Sequence, residues 1–234
     1  MHELLLKNIK DVYRNIANAA MKAGRDPHDI TLIAVTKTVE PDLIVKAVEI
    51  GLRVFGENRM QEAQKKITSN ELKGISEKIT WHMIGHLQKN KVKPAVELFD
   101  VIQSADSLEL AGEINRHAEK AGKIQRVLIQ VKLSDEESKH GISREKIIEL
   151  LGAMKKMENL KVMGLMTIPP YFVDAQMARP YFRELRELRD KAEEVGFHLP
   201  ELSMGMSNDF GVAIEEGATM VRVGTAIFGE RSHR

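Results

Sequence analysis

The sequence predicts a single α/β domain over residues 1–234, a (β/α)8 barrel of the TIM type with one extra helix at its N-terminus. Apolar runs of strand length alternate with segments of helical period, and no linker or biased segment divides the chain. A doubly wound open sheet is the competing architecture. It usually needs fewer strands, and no Gly-x-Gly-x-x-Gly motif follows the first strand.

The opening segment is predicted to be an amphipathic helix that ends at Gly24, a glycine suited to a helix C-terminus. Its apolar residues recur every three or four positions, at Leu5, Ile9, Val12, Ile16 and Ala20. Eight short apolar runs then read as strands. They cover 31–36, 52–57, 78–85, 100–104, 124–132, 160–168, 198–205 and 219–224.

Each strand is followed by a segment with the period or the end signals of a helix. The first of these segments, 41–51, has Pro41 in its first turn and ends at Gly51. In the third segment, 90–99, Pro94 makes the start of the helix unclear. The sixth is placed only within 174–195, and the last two are short. The other predicted helices cover 41–51, 58–67, 90–99, 107–122, 143–157, 209–217 and 225–229.

The composition excludes several classes of function. Lys and Arg number 35 against 34 Asp and Glu, so the net charge of +1 argues against nucleic acid or a membrane surface as partner. No run approaches the ~20 apolar residues of a membrane span. The chain contains no cysteine, which excludes disulfides and thiolate catalysis and favours a cytoplasmic protein.

Polar and small residues gather where the predicted strands end, and barrel enzymes carry their chemistry at these carboxyl ends. They are Lys37, Glu57, Asn58, His82, His86, Gln103, Ser104, Lys132, Met166, Thr167, Ser203, Gly205, Ser207, Arg222, Gly224 and Thr225. Taken singly, a lysine in such a place is usually a solvated rim residue. His82 and His86 have the spacing of a metal pair, but they flank Gly85 at a strand exit. No third ligand is evident, so no metal site is predicted.

The last two strand ends suggest a phosphate site. Ser203 and Ser207 stand at the end of the seventh strand, and Gly224 and Thr225 stand where the eighth strand passes into a short helix. Barrels commonly bind phosphate through these two loops. Asn208 and Asp209 are predicted to cap the following helix.

Lys37 and this phosphate site are expected to face each other across the barrel mouth. A ligand with a phosphate and an aldehyde would span them, and pyridoxal 5'-phosphate would do so as a Schiff base on Lys37. The amine must be neutral to attack the aldehyde, and partial burial and a nearby cation such as Arg222 would favour that form.

Eight motifs carry a resemblance to a known family. In order they are AVTKT, FGENRMQE, WHMIGHLQKNK, IQSADS, KHGI, GLMTI, LSMGMSNDF and VRVGTAIFGER. Together they resemble the pyridoxal phosphate homeostasis protein family, formerly described as the proline synthetase co-transcribed homologue, from about residue 30 to the C-terminus. The family shares its barrel with the N-terminal domain of alanine racemase.

The resemblance implies that Lys37 carries the coenzyme, that Asn58 lies near its ring and that Arg222 faces its pyridine nitrogen. Ser203 and Ser207, with the backbone at Gly224 and Thr225, would hold the phosphate. His82 and Met204 are also predicted to contact the coenzyme, although Met204 alone would be taken for a packing residue.

Two positions depart from the pattern of the family. Lys132 stands where asparagine is usual, which puts a second amine near the mouth, and Thr36 replaces the more common serine. Neither departure removes a presumed ligand. The roles of Glu57, His82 and Lys132 remain open.

The resemblance implies a protein of coenzyme homeostasis that buffers or supplies the coenzyme, and pyridoxal phosphate-dependent apoenzymes are candidate recipients. We expect a monomer, although the sequence leaves the oligomeric state and the recipients open. An arginine cannot accept a proton, so a pyridine nitrogen beside Arg222 would stay unprotonated and the ring would be a poor electron sink. The second base of alanine racemase would come from another domain, which is expected to be missing here. Of the three tyrosines, only Tyr171 lies in a strand-end loop.

Two enzymatic alternatives remain. A small racemase or lyase would use Lys37 as both coenzyme anchor and base. A class I aldolase-like enzyme would use Lys37 on a phosphorylated sugar without a coenzyme. A purified protein that is yellow and loses its colour on treatment with borohydride would contain bound pyridoxal phosphate, and this result would exclude the aldolase.

Overall fold

The chain folds into a closed barrel of eight parallel strands, as the sequence predicts. The computed structural model describes residues 2–134, 136 and 140–229. The barrel strands are β1 (Thr31–Val35), β2 (Val54–Glu57), β3 (Thr80–Met83), β4 (Val101–Ala105), β5 (Gln125–Lys132), β7 (Leu160–Met166), β8 (Glu201–Met206) and β9 (Met220–Val223). A short strand, β6 (Ile142–Ser143), pairs with the end of β5 outside the ring.

The barrel closes where its first strand pairs with its last. Ile33 of β1 lies beside Arg222 of β9, and Ala34 lies beside Val223. The order around the ring is β1, β2, β3, β4, β5, β7, β8 and β9. The doubly wound alternative is therefore wrong. Because every pairing is parallel, all carboxyl ends of the strands meet at one face.

Helices surround the barrel close to the predicted positions. They are α1 (His2–Lys22), α2 (Pro41–Ile50), α3 (Met60–Ile67), α4 (Asn70–Lys73), α5 (Val92–Leu98), α6 (Leu108–Lys120), α7 (Ile147–Met154), α8 (Arg179–Glu194), α9 (Phe210–Glu215) and α10 (Thr225–Phe228). We did not predict α4 and β6. With four and two residues, they are too short to show a hydrophobic period.

The N-terminal helix α1 packs on the outside of the ring against α9 and α10. All five of its predicted apolar residues are buried. Asn8 Nδ2 donates to the carbonyl of Ile227 over 2.9 Å, and Lys22 pairs with Glu215 at 2.7 Å. These contacts tie α1 to the segment that follows the last strands.

The core has two layers, as a barrel requires. Inside the ring, an apolar group of Ile33, Leu128, Met166 and Met220 fills the lumen. Between strands and helices lies a much larger apolar layer, to which Phe55, Phe99 and Phe182 contribute fully buried rings. Within the described part of the chain, no helix is both long and apolar enough to cross a membrane.

Candidate functional site

Four of the predicted coenzyme residues lie along one arc of the barrel mouth. Asn58 follows β2, Lys37 follows β1, Gly224 follows β9 and Ser207 follows β8, and these four strands are consecutive in the ring. The amine and the phosphate group were expected to face each other across the mouth, and this was wrong. The closure of the barrel pairs β1 with β9, so Lys37 and Gly224 leave adjacent strands.

Lys37 occupies a tight turn between β1 and α2. Its side chain is exposed, so the partial burial that we expected is not seen. Thr38, the next residue, adopts a φ of +60°, a left-handed conformation uncommon for a β-branched residue. The turn therefore holds a strained backbone directly beside the predicted anchor.

A buried ion network fixes the backbone on both sides of Lys37. The ammonium of Lys66 on α3 donates to the Thr36 carbonyl at 2.6 Å and to Glu57 Oε1 at 2.6 Å. It also donates to Glu62 Oε1 at 3.0 Å, and the Thr38 amide donates to the same oxygen of Glu62. The residues before and after Lys37 are thus both bonded to this network.

Glu57 is the deepest member of the network, with no exposed surface. The hydroxyl of Thr36 donates to its Oε1 at 2.6 Å. Burial raises the pKa of the Glu57 carboxyl, although Lys66 and Thr36 oppose that shift. Burial also works to raise the pKa of Glu62, but bonds from the Thr38 amide and Lys66 outweigh it and hold this pKa below its usual value. The sequence left Glu57 without a role, and the structure makes it the support of the Lys37 turn.

Asn58 follows β2 and carries a buried acceptor on its side chain. Its Oδ1 is buried and has no hydrogen-bond partner within the described residues. The loop after β3 packs tightly on its backbone, because a Cβ on Gly85 would lie 2.2 Å from the Asn58 carbonyl oxygen. A buried amide oxygen without a partner is costly unless a ligand supplies a donor.

The loops after β8 and β9 bring backbone donors together. Ser207 Oγ accepts from the amides of Gly224 at 3.2 Å and Ala226 at 3.4 Å, both long bonds. Gly205 makes the turn of β8 into this loop, with a φ of +91°. A Cβ there would lie 2.6 Å from Cβ of Ala213, so the turn requires glycine. The two amides converge on the Ser207 hydroxyl oxygen, so an anion that took its place would accept from the same two donors.

A chain of polar side chains crosses the interior of the barrel. Gln103 Nε2 donates to Nδ1 of His82 at 2.8 Å, and Ser203 Oγ donates to Gln103 Oε1 at 2.6 Å. Arg222 donates to Ser203 Oγ at 2.6 Å and to the Thr167 carbonyl at 2.7 Å. Burial lowers the pKa of Arg222 to about 10, with Asp209 opposing. The guanidinium therefore stays charged at neutral pH.

His82 is buried at 3% exposure and makes the chain acid-sensitive. Burial, with a smaller effect of Arg126, lowers its pKa to about 3 from the 6.5 of an unperturbed histidine. Between these values the unfolded chain binds one more proton than the folded chain. The free energy of unfolding therefore falls by about 1.4 kcal/mol per unit as the pH drops from about 6.5 toward about 3.

We expect His82→Gln to remove this titration while keeping a polar partner for Gln103. Between pH 7 and pH 5, the original chain should lose about 2 kcal/mol more stability than the variant. Urea unfolding at both pH values measures the difference. Equal losses in the two proteins would show that His82 does not titrate on unfolding.

Three predicted residues are placed differently from our expectation. The hydroxyl of Ser203 is fully buried within the interior polar chain. Met204 lies in the apolar layer between strands and helices, so only its backbone is available to a ligand. Asp209 does not cap α9 with its side chain. It accepts instead from the Met206 amide at 2.6 Å, which fixes the loop before Ser207.

Sequence reasoning did not identify Lys66 and Glu62 as supports of the site, and it gave Gln103 no role. In the sequence, Glu62 and Lys66 have the i, i+4 spacing of an ordinary ion pair on a helix surface. The alternation along β8 was an available signal, because Leu202 and Met204 pack outward while Ser203 points into the barrel. Thr225 is exposed at the mouth, as is Tyr171 in the loop after β7. Lys132 is half-buried at the end of β5.

The comparisons with known proteins agree with this fold. The model of the alanine racemase N-terminal domain family matches residues 7–232. An alanine racemase of Clostridium difficile 630 has the same fold, with a TM-score of 0.71 at 17% identity over 99% of this chain and 58% of that chain.

More similar proteins carry a functional name. A pyridoxal phosphate homeostasis protein of Aquifex aeolicus (strain VF5) is 46% identical over 228 residues, which are 97% of this chain and 98% of that protein. Its namesake from Escherichia coli (strain K12) is 38% identical over 97% of this chain and 96% of its own length.

A solved structure adds a ligand to the comparison. PipY of Synechococcus elongatus PCC7942, with pyridoxal phosphate bound, matches with a TM-score of 0.81 and 37% identity, covering 92% of this chain and 100% of that chain. These similarities extend over nearly the whole chain and include most of the N-terminal helix, which precedes the eight motifs. The chain therefore belongs to the pyridoxal phosphate homeostasis protein family, which is built on the alanine racemase N-terminal domain.

Proposed function

We propose that the chain binds pyridoxal 5'-phosphate on the arc formed by β2, β1, β9 and β8, as a Schiff base on Lys37, and acts in coenzyme homeostasis without robust catalysis. The names of its relatives and the coenzyme bound to PipY support this proposal. The observation that carries it is the buried Oδ1 of Asn58, which has no partner among the described residues. Asn58 directly follows β2, the strand that pairs with the one before Lys37.

The residues present fit the coenzyme. A primary amine at Lys37 suits an aldehyde, the donors at Ser207, Gly224 and Ala226 suit a phosphate, and Asn58 lies on the other side of Lys37 along the arc. When bound, the coenzyme supplies an electrophilic carbonyl carbon and an aromatic ring that can accept electrons.

Different residues of the chain bind the aldehyde and the phosphate of the coenzyme. Lys37 holds the aldehyde carbon, and the strained turn and the ion network beneath it limit where its amine can reach. Ser207 and the amides after β9 bind the phosphate, because N–H and O–H donors bond best to a charged acceptor. Ser203, bonded to Arg222 inside the barrel, acts on the phosphate only through the position of its backbone.

The presence of Arg222 favours coenzyme binding without robust catalysis. Its guanidinium only donates hydrogen bonds, and its bonds to Ser203 and to the Thr167 carbonyl fix it in place. A ring nitrogen placed beside it would keep its lone pair unprotonated, and the ring would then withdraw electrons weakly. Delivery to apoenzymes, a monomeric state and a cytoplasmic location stay predictions from the sequence.

A racemase or lyase activity is the alternative to test. We expect the coenzyme-loaded chain, incubated with single L-amino acids, to form D-isomer or amine more than a thousandfold more slowly than the ~10 s⁻¹ of a median enzyme. Chiral chromatography measures the products, with an alanine racemase as positive control under the same conditions. Turnover at ordinary enzyme rates would contradict the proposed absence of robust catalysis.

A further inference from the structure

Three side chains that the coenzyme arc does not use converge elsewhere on the rim. His86 follows β3, Asp106 follows β4, and His140 lies in the loop between β5 and β6. One ligand atom from each, a ring nitrogen or a carboxylate oxygen, lies within 4.8 Å of the other two. The three strands occupy the part of the ring opposite β8 and β9, so the cluster is separate from the predicted phosphate contacts.

The side chains of the cluster also contact one another. The rings of His86 and His140 stack with centroids 3.8 Å apart and planes 10° from parallel. Nδ1 of His86 lies 3.6 Å from Asp106 Oδ2. The backbone of His140 is fixed by Gln130, whose Nε2 donates to its carbonyl over 3.0 Å. Three loops from separate strand ends are thereby brought to one point.

The nitrogen and oxygen donors of the cluster indicate which metal ion fits. Two imidazoles and one carboxylate suit Zn²⁺, Co²⁺ and Ni²⁺, whereas Mg²⁺ and Ca²⁺ prefer oxygen ligands alone. In a tetrahedral site with metal–ligand bonds of about 2.0–2.1 Å, the ligand atoms lie about 3.3 Å apart. The separations here are at most 4.8 Å, and His86 Nδ1 and Asp106 Oδ2 lie 3.6 Å apart. Because an ion lies near the plane of each imidazole that binds it, the two exposed, stacked rings must turn out of their parallel arrangement to bind one ion.

We propose that His86, Asp106 and His140 bind one divalent transition-metal ion of the zinc type. The sequence predicted no metal site, because it paired His86 with His82. His82 lies inside the barrel, and the other two ligands come from loops distant in the sequence. Three protein ligands leave a coordination position for water or a further ligand. The ion cross-links the loops after β3, β4 and β5 and stabilises the folded chain by mass action.

The test is a titration of the chain, without a histidine tag, with Co²⁺ and then with Zn²⁺ as competitor. Unbound coenzyme is removed first, because its phosphate also binds divalent cations. We expect a visible ligand-field band that saturates at one Co²⁺ per chain, is lost on adding Zn²⁺, and is accompanied by a higher melting temperature.

His140→Ala and Asp106→Asn should each weaken Co²⁺ binding at least tenfold. His28→Ala is the matched control, because His28 is an exposed histidine that lies 2.8 Å from a carboxylate oxygen of Asp26, before β1. The control should bind as the original chain does. No Co²⁺ band, or a band that both rim variants leave unchanged, would overturn the proposal. Since coenzyme binding uses other residues, either result leaves the proposed function unaffected.

Discussion

Replacing Lys37 by alanine is expected to abolish covalent attachment of pyridoxal phosphate and to weaken its binding at least about tenfold, or ~1.4 kcal/mol. Binding should not vanish, because the donors around Ser207 and Gly224 remain. The absorbance of the imine measures attachment, and equilibrium dialysis measures the remaining affinity. Imine absorbance that persists unchanged would move the anchor to another lysine.

Two further variants separate the ends of the site. Lys132→Ala removes the other amine near the mouth and should leave the imine absorbance unchanged. Ser207→Ala should keep the imine but weaken binding about ten- to a hundredfold, as expected for a lost hydrogen bond to a charged group. Pyridoxal without its phosphate should bind equally to the Ser207 variant and the original chain. A Ser207 variant with full affinity for the phosphorylated coenzyme would contradict the placement of the phosphate.

Replacing Lys66 by methionine is expected to lower the free energy of unfolding by about 3–5 kcal/mol. Lys66 is 6% exposed and its ammonium bonds Glu57, Glu62 and the Thr36 carbonyl. The substitution keeps an apolar side chain of similar length but leaves the buried Glu57 carboxyl without its cation. Because the turn at Thr38 loses its support, coenzyme binding should also weaken.

Lys65→Met is the matched control, since Lys65 is the exposed neighbour on the same helix. Its effect should stay within about 0.5 kcal/mol. Adding Glu57→Gln to Lys66→Met removes the uncompensated acid, so the double variant should be more stable than Lys66→Met alone. Urea unfolding measures all four proteins. A small cost for Lys66→Met, or no recovery in the double variant, would mean that the network is not an ion pair.

The sequence was sufficient to predict the barrel because its strands and helices have clear periods and end signals. One example is the continuous apolar run of β1, which is buried along nearly its whole length. Another is α2, which has Pro41 in its first turn and Gly51 after its end. The placement of Lys37, Asn58, Ser207 and Gly224 at the mouth followed from the rule that carboxyl ends of parallel strands meet at one face.

What the sequence could not predict depends on contacts between distant segments. Lys66 stands four residues after Glu62, which is the spacing of an ion pair on an exposed helix face. Tertiary packing nevertheless buries Lys66 against Glu57. Ser203 was assigned to the phosphate because its loop was recognised, whereas the pleat of β8 turns its hydroxyl into the barrel. The adjacency of Lys37 and Gly224 was different, because the predicted barrel already implied that its first strand pairs with its last. The expectation that the two face each other across the mouth did not follow from that fold.

The most direct test of the central claim is to identify the lysine that carries the coenzyme. The chain is loaded with pyridoxal phosphate, reduced with borohydride, digested and mapped by mass spectrometry. Our account predicts one modified lysine, Lys37, in the peptide that leaves β1. Modification of Lys132 or any other lysine in its place, or no reduced adduct at all, would contradict it.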